Sequence, residues 1–329
     1  MRNVKVAAIQ PELIQIPECY RPLSVNYKND PKSILDNYIR KQLEVTIRLL
    51  EIAGSQGCDI VCSCEDVTMS SEFALDISEN SIFPVLVDMS KPLVETFFSE
   101  IAKKYSMYVI GCYLSKQNGK IYNIASIFNR KGSIVGEYKK THLPANEIWI
   151  CTPGDSLDVF NLDFGKIGIS ICYDMMFPET VRVLALKGAE IIFHPTFGYG
   201  WYDSIGEATL RTRANDSGVY IITSKNYNRH NTAGKSSIID YWGQILCDAG
   251  FNANTIVTKK IDLDEKKKQP DWYYNAYMTG STEVSNYMSK ERRPEIYSAI
   301  CSPNEKLRIP DQEEKLKILE AIKNGECHW

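Results

Sequence analysis

The chain has 329 residues, of which 44% are hydrophobic and 24% are charged. This composition is typical of a folded globular protein and is too apolar for a disordered one. Because 41 acidic residues slightly outnumber 38 basic ones, the formal net charge is −3, and no overall positive charge attracts the phosphates of a nucleic acid. We therefore expect no nucleic-acid partner.

The sequence also bears on the cellular compartment. No apolar run approaches the roughly 20 residues that a membrane helix needs, and the opening MRNVKVAAIQPE is interrupted too soon to be a signal peptide. We therefore expect a cytoplasmic protein without a membrane partner. Ten cysteines are few for a secreted disulfide scaffold of this length, so we expect free thiols that are mostly buried.

Predicted strands and helices alternate along the first part of the chain. Short β-rich runs predict strands over residues 4–9, 59–63 and 107–114, and apolar residues at helical spacing predict helices over 33–53 and 93–105. Alternation of this kind is typical of parallel strands covered by helices.

The next part of the chain mixes hairpins with further strands and helices. Two β runs within 121–138 flank a turn around Gly132 and predict a hairpin. A proline at an early position and a glycine after the last turn predict a helix from Pro178 to Gly188. The other predicted elements are a strand pair at 157–162 and 166–171, strands at 190–194, 219–224, 235–240 and 255–261, and a helix at 203–216. This mixture predicts an α/β domain of layered, mixed sheets.

We place a domain boundary near residue 265. Residues 1–265 form the predicted domain, and residues 266–329 form a C-terminal extension. The extension begins in a charged run, EKKKQ, continues into an aromatic run, DWYYNAYM, and contains a charged helix predicted at 311–323. We expect it to pack on the domain or on a neighbouring subunit.

The strongest local feature is the segment KIGISICYDMMFPE, residues 166–179. A β-rich run delivers Cys172 to a turn, and a predicted helix begins a few residues later. A helix N-terminus and nearby cations lower the pKa of a thiol and raise the fraction of nucleophilic thiolate. The pattern favours Cys172 as a nucleophile, although a cysteine in a strand is more often a small buried apolar residue.

A thiol nucleophile needs a base and a group that stabilises an oxyanion. Glu65 follows the β run DIVCSC, and Lys140 follows the β run SIVGEY, so both stand at the sheet edge where α/β folds bind ligands. Taken singly, either residue is more often a surface charge. Three polar groups of the required types, each after a β run, favour a shared site.

With these motifs the sequence resembles the carbon-nitrogen hydrolase (nitrilase) superfamily, in its amidase and carbamoylase branch. GISICYDMMFPE matches the nucleophile motif, YKKTHLP the lysine motif, EIWICTPGD the second-glutamate motif and DIVCSCED the first-glutamate motif. By position, the resemblance implies a catalytic triad of Glu65, Lys140 and Cys172, with Glu147 as an assisting residue. Cys64 stands where the family usually has proline.

The resemblance implies an α-β-β-α sandwich with two mixed β-sheets, and a homodimer or higher homo-oligomer that forms through helices. It also implies no metal and no organic cofactor. In agreement with this, Cys58, Cys62 and Cys64 lack the paired CxxC spacing of a structural zinc site.

The implied function is hydrolysis of a non-peptide carbon–nitrogen bond in a small-molecule linear amide or N-carbamoyl compound. The reaction would pass through a thioester on Cys172 and release ammonia or an amine. The backbone N–H of Tyr173 would join Lys140 at the developing oxyanion. Met176 and Phe197, together with Tyr173, would line the substrate pocket.

Two features of the sequence bear on the substrate. Tyr173 and Asp174 follow the nucleophile, where nitrilases usually carry Trp-Glu, and this difference favours amides over nitriles. An arginine would bind the carboxylate of a carbamoyl substrate, and Arg211 and Arg213 are candidates for that contact.

Three other functions stay open at this point. They are hydrolysis of a nitrile, a catalytically silent relative that serves as a binding or scaffold protein, and a thiol sensor that uses the ten cysteines. The intact Glu, Lys and Cys argue against a silent protein. A sensor is disfavoured because no resolving cysteine is close to Cys172 in the sequence.

Overall fold

The computed structural model of the chain describes residues 2–13, 31–74, 81–144, 147–197, 203–227, 234–265, 292–302 and 311–324. Within these ranges the strands are β1 (Asn3–Gln10), β2 (Ile60–Cys62), β3 (Tyr108–Gln117), β4 (Lys120–Phe128), β5 (Ile134–Lys139), β6 (Val159–Asn161), β7 (Lys166–Ile169), β8 (Ile191–Thr196), β9 (Tyr220–Lys225), β10 (Ser237–Ile239), β11 (Ile245–Asp248) and β12 (Thr255–Asp262). The helices are α1 (Pro31–Ser55), α2 (Phe83–Tyr105), α3 (Pro178–Leu186), α4 (Asp203–Ser217), α5 (Ser298–Cys301) and α6 (Gln312–Lys323).

The strands form two six-stranded mixed sheets. The first sheet has the order β12-β1-β2-β3-β4-β5, in which β2 is parallel to both of its neighbours. The second sheet has the order β11-β10-β9-β8-β7-β6, in which β7, β8 and β9 are parallel and the outer strands are antiparallel. Parallel strands bring their carboxyl ends to one edge of a sheet, which is where ligands bind in α/β folds.

Three groups of buried apolar side chains hold four layers together. Along β1, successive residues point to opposite faces, so Val6 packs between the two sheets while Ile9 packs against α1 and α2. On the far side, α3 and α4 cover the second sheet, where Leu184 and Leu210 pack on Ile192 and its neighbours. The predicted α-β-β-α sandwich with two mixed sheets is confirmed.

The structure differs from the prediction at one helix and one strand. Helix α2 begins at Phe83, ten residues before the predicted start at Leu93, and it continues through Pro92. A proline inside a helix costs about 3 kcal/mol, but the buried face that includes Phe83 and Leu86 stabilises the extra turns against the first sheet. Strand β11 was not predicted, because its three partly buried residues and one exposed residue, at a sheet edge, show no alternation of burial.

The C-terminal part is described only in segments. The charged helix predicted at 311–323 corresponds to α6, Gln312–Lys323. The aromatic run at 271–278 lies outside the described residues. The division at residue 265 and the packing of the extension stay predictions.

None of the helices in the described ranges combines the length and apolar character needed to cross a bilayer.

A close approach between α2 and β3 gives a test of this packing. A Cβ atom added at Gly111 would lie 2.2 Å from a ring carbon of Phe98. We expect Gly111→Ala to lower the free energy of unfolding by about 1–3 kcal/mol, because overpacking in a buried site forces neighbours to move. Urea denaturation followed by circular dichroism measures the change. In a Phe98→Leu background the same substitution should cost less, and an equal cost would contradict the proposed clash.

Candidate active site

Four candidate residues lie where strands of the two sheets end. Glu65 follows β2, Lys140 directly follows β5, and Cys172 lies three residues after β7. Glu147 lies on a short 3-10 turn, Glu147–Trp149, seven residues after Lys140. Three distant parts of the chain therefore meet at one end of the sandwich, as the pattern of polar residues after β runs predicts.

The Lys140 side chain lies between two carboxylates. Its Nζ donates to Glu65 Oε1 over 2.8 Å and also donates to Glu147 Oε2. Only 1% of the Lys140 side chain is exposed, so water cannot solvate the ammonium and the carboxylates take that role. The burial of Lys140 opposes its charged form, but Glu65 and Glu147 outweigh this effect and hold the pKa of Lys140 well above its usual value. The lysine is thus a fixed positive charge.

Two further groups orient the carboxylates. Asn123 Nδ2 donates to Glu65 Oε1 and to Glu147 Oε1, each over 2.8 Å. The backbone N–H of Phe197 donates to Glu65 Oε2 over 2.8 Å. Phe197 is buried with the apolar core between the first sheet and its helices, and its main-chain N–H is the group that hydrogen-bonds Glu65. Sequence reasoning missed Asn123, although a polar residue inside the apolar run of β4 was a signal.

Glu147 is a carboxyl group in an unfavourable environment. Burial raises its pKa, while Lys140 beside it and the hydrogen bond from Asn123 act in the opposite direction. Glu65 adds a second negative charge that also raises the pKa of Glu147. A single ammonium therefore faces two carboxyl groups, and Glu147 holds a proton more readily than an exposed glutamate does.

Cys172 opens a 3-10 turn, Cys172–Met176, with a left-handed backbone φ of 45°. The turn interrupts the chain between β7 and α3 and leaves the cysteine only partly buried. Its thiol shares a hydrogen bond with the side chain of Thr196, at the end of β8. Thr196 lies beyond the predicted end of that strand, and sequence reasoning missed it.

The expected lowering of the thiol pKa is wrong. Burial, followed by the negative charge of Glu65, raises the pKa of Cys172 to about 12, and Lys140 and Thr196 lower it only in part. The physical reason is that the loss of hydration and the neighbouring Glu65 carboxylate disfavour the thiolate more than the Lys140 ammonium favours it, and Cys172 opens a 3-10 turn rather than the helix α3, which begins at Pro178. The resting group at neutral pH is therefore a thiol rather than a thiolate.

An aromatic rim lies beside this turn and consists of His142, Tyr173 and Phe177. The His142 and Phe177 rings stack with centroids 3.9 Å apart, and Tyr173 meets the Phe177 ring edge-on at 5.4 Å. Tyr173 is 37% exposed and Met176 is 41% exposed, so both offer apolar surface near Cys172. This placement suits the predicted lining of a pocket.

The two candidate arginines are engaged elsewhere. Arg211 Nε donates to the Gly243 carbonyl, and Arg213 pairs with Asp216 within α4.

Within the described ranges, His, Cys, Asp and Glu side chains form no group of three or more that could hold a metal ion.

Comparison with known proteins gives the family. The sequence model of the carbon-nitrogen hydrolase family matches residues 27–270. The chain is 33% identical to the omega-amidase of Mus musculus over 180 residues, which are 50% of this chain and 65% of that enzyme. It is 38% identical to the deaminated glutathione amidase of Mus musculus over 205 residues, which are 57% of this chain and 58% of that protein.

The fold has a close counterpart among solved structures. The crystal structure of a carbon-nitrogen hydrolase from Helicobacter pylori G27 superimposes with a TM-score of 0.71 at 23% sequence identity, covering 92% of this chain and 99% of that one. Since the family model spans most of the sequence, the chain belongs to the carbon-nitrogen hydrolase family. The predicted family is confirmed, and with it, at the level of the family, a hydrolase that acts on carbon–nitrogen bonds other than peptide bonds.

The protonated state of Cys172 can be tested by alkylation. Because iodoacetamide reacts with the thiolate, its rate at Cys172 should rise about tenfold per pH unit between about pH 7 and pH 10 without levelling off. In Glu65→Gln the rate should level off at lower pH, since the charge that raises the thiol pKa is gone. Mass spectrometry of the labelled peptide follows the reaction, and Cys172→Ala gives the background. A rate already constant above about pH 8 in the wild type would mean a preformed thiolate.

Proposed function

We propose that the protein hydrolyses the carbon–nitrogen bond of a small-molecule linear amide or N-carbamoyl compound, through a thioester on Cys172. The observation that carries the proposal is the buried ammonium of Lys140, which is held between Glu65 and Glu147 and interacts electrostatically with the Cys172 sulfur. This arrangement supplies a nucleophile, a base and a fixed positive charge within one site.

In the first step, Glu65 accepts the thiol proton of Cys172 as the sulfur attacks the carbonyl carbon. Because the pKa of the Cys172 thiol is raised to about 12, very little thiolate is present in advance, and Glu65 removes the proton as the sulfur attacks. Negative charge then develops on the carbonyl oxygen, and the Lys140 ammonium and the backbone N–H of Tyr173 stabilise it. Because the pKa of Lys140 is well above its usual value, Lys140 acts as a charge rather than as a proton donor.

In the second step, the carbon–nitrogen bond breaks. Glu65 returns its proton to the departing nitrogen, so ammonia or an amine leaves and the acyl group stays on Cys172 as a thioester. Water then attacks the thioester carbonyl as Glu65 again accepts a proton, the carbon–sulfur bond breaks, and Glu65 returns that proton to the sulfur, which releases the carboxylic acid and restores the Cys172 thiol. Glu147, which shares Lys140 and Asn123 with Glu65, orients the substrate or the water.

The names of the relatives support amide chemistry. Both Mus musculus proteins reported above are described as amidases. The residues after the nucleophile, Tyr173 and Asp174, differ from the Trp-Glu of nitrilases. We therefore favour a linear amide over a nitrile, and the aromatic rim favours a substrate with apolar surface next to the scissile group.

The nucleophile assignment has a direct test. Cys172→Ala should lower ammonia release from a panel of linear amides and N-carbamoyl compounds by at least about 1,000-fold, because no thioester can form. Circular dichroism should show an unchanged fold. The matched control is Cys247→Ala, which removes a half-buried thiol on β11 and should keep wild-type rates.

Intact-mass spectrometry completes this test. The wild type should gain the mass of the acyl group of its substrate, and Cys172→Ala should gain none. Including nitriles in the panel separates a nitrilase from an amidase. Wild-type turnover in Cys172→Ala, or an acyl adduct on another cysteine, would refute the assignment.

We also infer a homodimer that forms through α3 and α4. These helices pack on each other, and each presents a large apolar side chain to solvent, since Leu186 is 40% exposed and Ile205 is 61% exposed. The resemblance to the family implies a homodimer formed through helices, and these two exposed apolar side chains mark the helix surface that we assign to the contact. A cytoplasmic location stays a prediction.

Light scattering after size-exclusion chromatography tests the dimer. We expect a dimeric wild type and a monomeric Leu186→Glu/Ile205→Glu variant, because two buried carboxylates per subunit would oppose contact. Ile134→Glu is the control and should stay dimeric, because it alters an apolar residue on the edge strand β5 that is 44% exposed, a value between those of Leu186 and Ile205. A dimer in both variants would place the contact elsewhere.

A further inference from the structure

The carboxylate of Asp174 lies two residues after Cys172 and is completely buried. It accepts five hydrogen bonds, from the Ile171 N–H at 2.9 Å, the Tyr138 hydroxyl at 2.7 Å, the Thr141 hydroxyl at 2.9 Å, the His142 N–H at 2.8 Å and His142 Nδ1 at 2.9 Å. Sequence reasoning noted Asp174 only as a difference from nitrilases. Because five donors converge on one carboxylate, Asp174 organises the hydrogen-bond network around it.

The donors come from two segments that belong to different sheets. Ile171 precedes the nucleophile and follows β7 of the second sheet, whereas Tyr138, Thr141 and His142 flank Lys140 and follow or end β5 of the first sheet. One side chain therefore joins the turn that carries the thiol to the segment that carries the ammonium. The two segments come from different sheets, and the stacking of His142 on Phe177 is a second contact between them.

The electrostatics of the site keep this carboxylate charged. Burial opposes ionisation, but the hydrogen bonds from His142, Tyr138 and Ile171 outweigh it and hold the pKa of Asp174 below its usual value. The positive charge of Lys140 acts in the same direction. Charged acceptors form stronger hydrogen bonds than neutral ones, so the connection between the two segments is a firm one.

We propose that Asp174 is a positioning residue, which fixes the separation between Cys172 Sγ and Lys140 Nζ by hydrogen-bonding both segments at once. It acts through Cys172 and Lys140 and touches neither the substrate nor the reacting atoms. The proposal rests on the function proposed above, because the separation matters only if the thiol and the ammonium act on the same carbonyl group. The same hydrogen bonds help to hold Cys172 at its left-handed φ of 45°, since Asp174 accepts the N–H of Ile171, the residue just before Cys172.

The test compares three variants by their kcat and KM for an amide that the wild type hydrolyses. Asp174→Asn keeps the shape but leaves one set of donors without an acceptor, and we expect kcat to fall about 100-fold with KM changed less than about threefold. Tyr138→Phe removes one donor without changing charge and should lower kcat by a smaller factor. The control is Asp163→Asn, which weakens the Arg130 ion pair at the opposite end of β7 and should keep kcat.

A second readout needs no substrate. In Tyr138→Phe the rate of Cys172 alkylation by iodoacetamide at a fixed pH of about 9 should fall below that of the wild type, because Lys140, which lowers the thiol pKa, is held less firmly beside the sulfur. A wild type that hydrolyses no amide would refute the proposed function, while the alkylation rate would still test the connection between the two segments. If Asp174→Asn does not fold, the result for Tyr138→Phe is the deciding one. Unchanged kcat and alkylation rate in a folded Tyr138→Phe and a folded Asp174→Asn, or an equal loss in Asp163→Asn, would overturn the proposal.

Discussion

A lysine ammonium that is almost entirely out of water has to be matched by negative charge in the same place, and this constraint organises one end of the molecule. Lys140 is matched by Glu65 and Glu147, and Asn123 hydrogen-bonds both carboxylates. Removing the ammonium would leave two buried carboxylates without a counter-ion, and a buried charge without a partner is strongly destabilising. The fold therefore depends on contact between Lys140 and its carboxylates, whether or not a substrate is present.

The sandwich architecture makes that contact possible. Glu65 and Lys140 come from the first sheet, whereas Cys172 and Thr196 come from the second, and the apolar layer between the sheets holds the two edges in register. Asp174 adds a polar connection at the same end. Position within the site is thus set by rigid strands and by a few hydrogen bonds rather than by a long loop, as a site that needs fixed distances requires.

The sequence predicted the fold class and the convergence of the charged groups, because both follow from strand ends and from motif spacing. It did not predict that α2 passes through Pro92, since burial against the first sheet is a tertiary effect. The direction in which the pKa of Cys172 shifts could not be predicted from the sequence either, because the shift depends on how far the thiol is buried and on its distance from Glu65. Asn123 was missed for a related reason, as its partners lie on separate segments of the chain.

The protonated sulfur also bears on chemical durability. Hydrogen peroxide oxidises cysteine through the thiolate, and continued oxidation to the sulfinic and sulfonic acids destroys the nucleophile. A thiol with a pKa of about 12 offers peroxide very little of the reactive form. Burial and the Glu65 carboxylate, which disfavour the thiolate, therefore also disfavour its oxidation by peroxide.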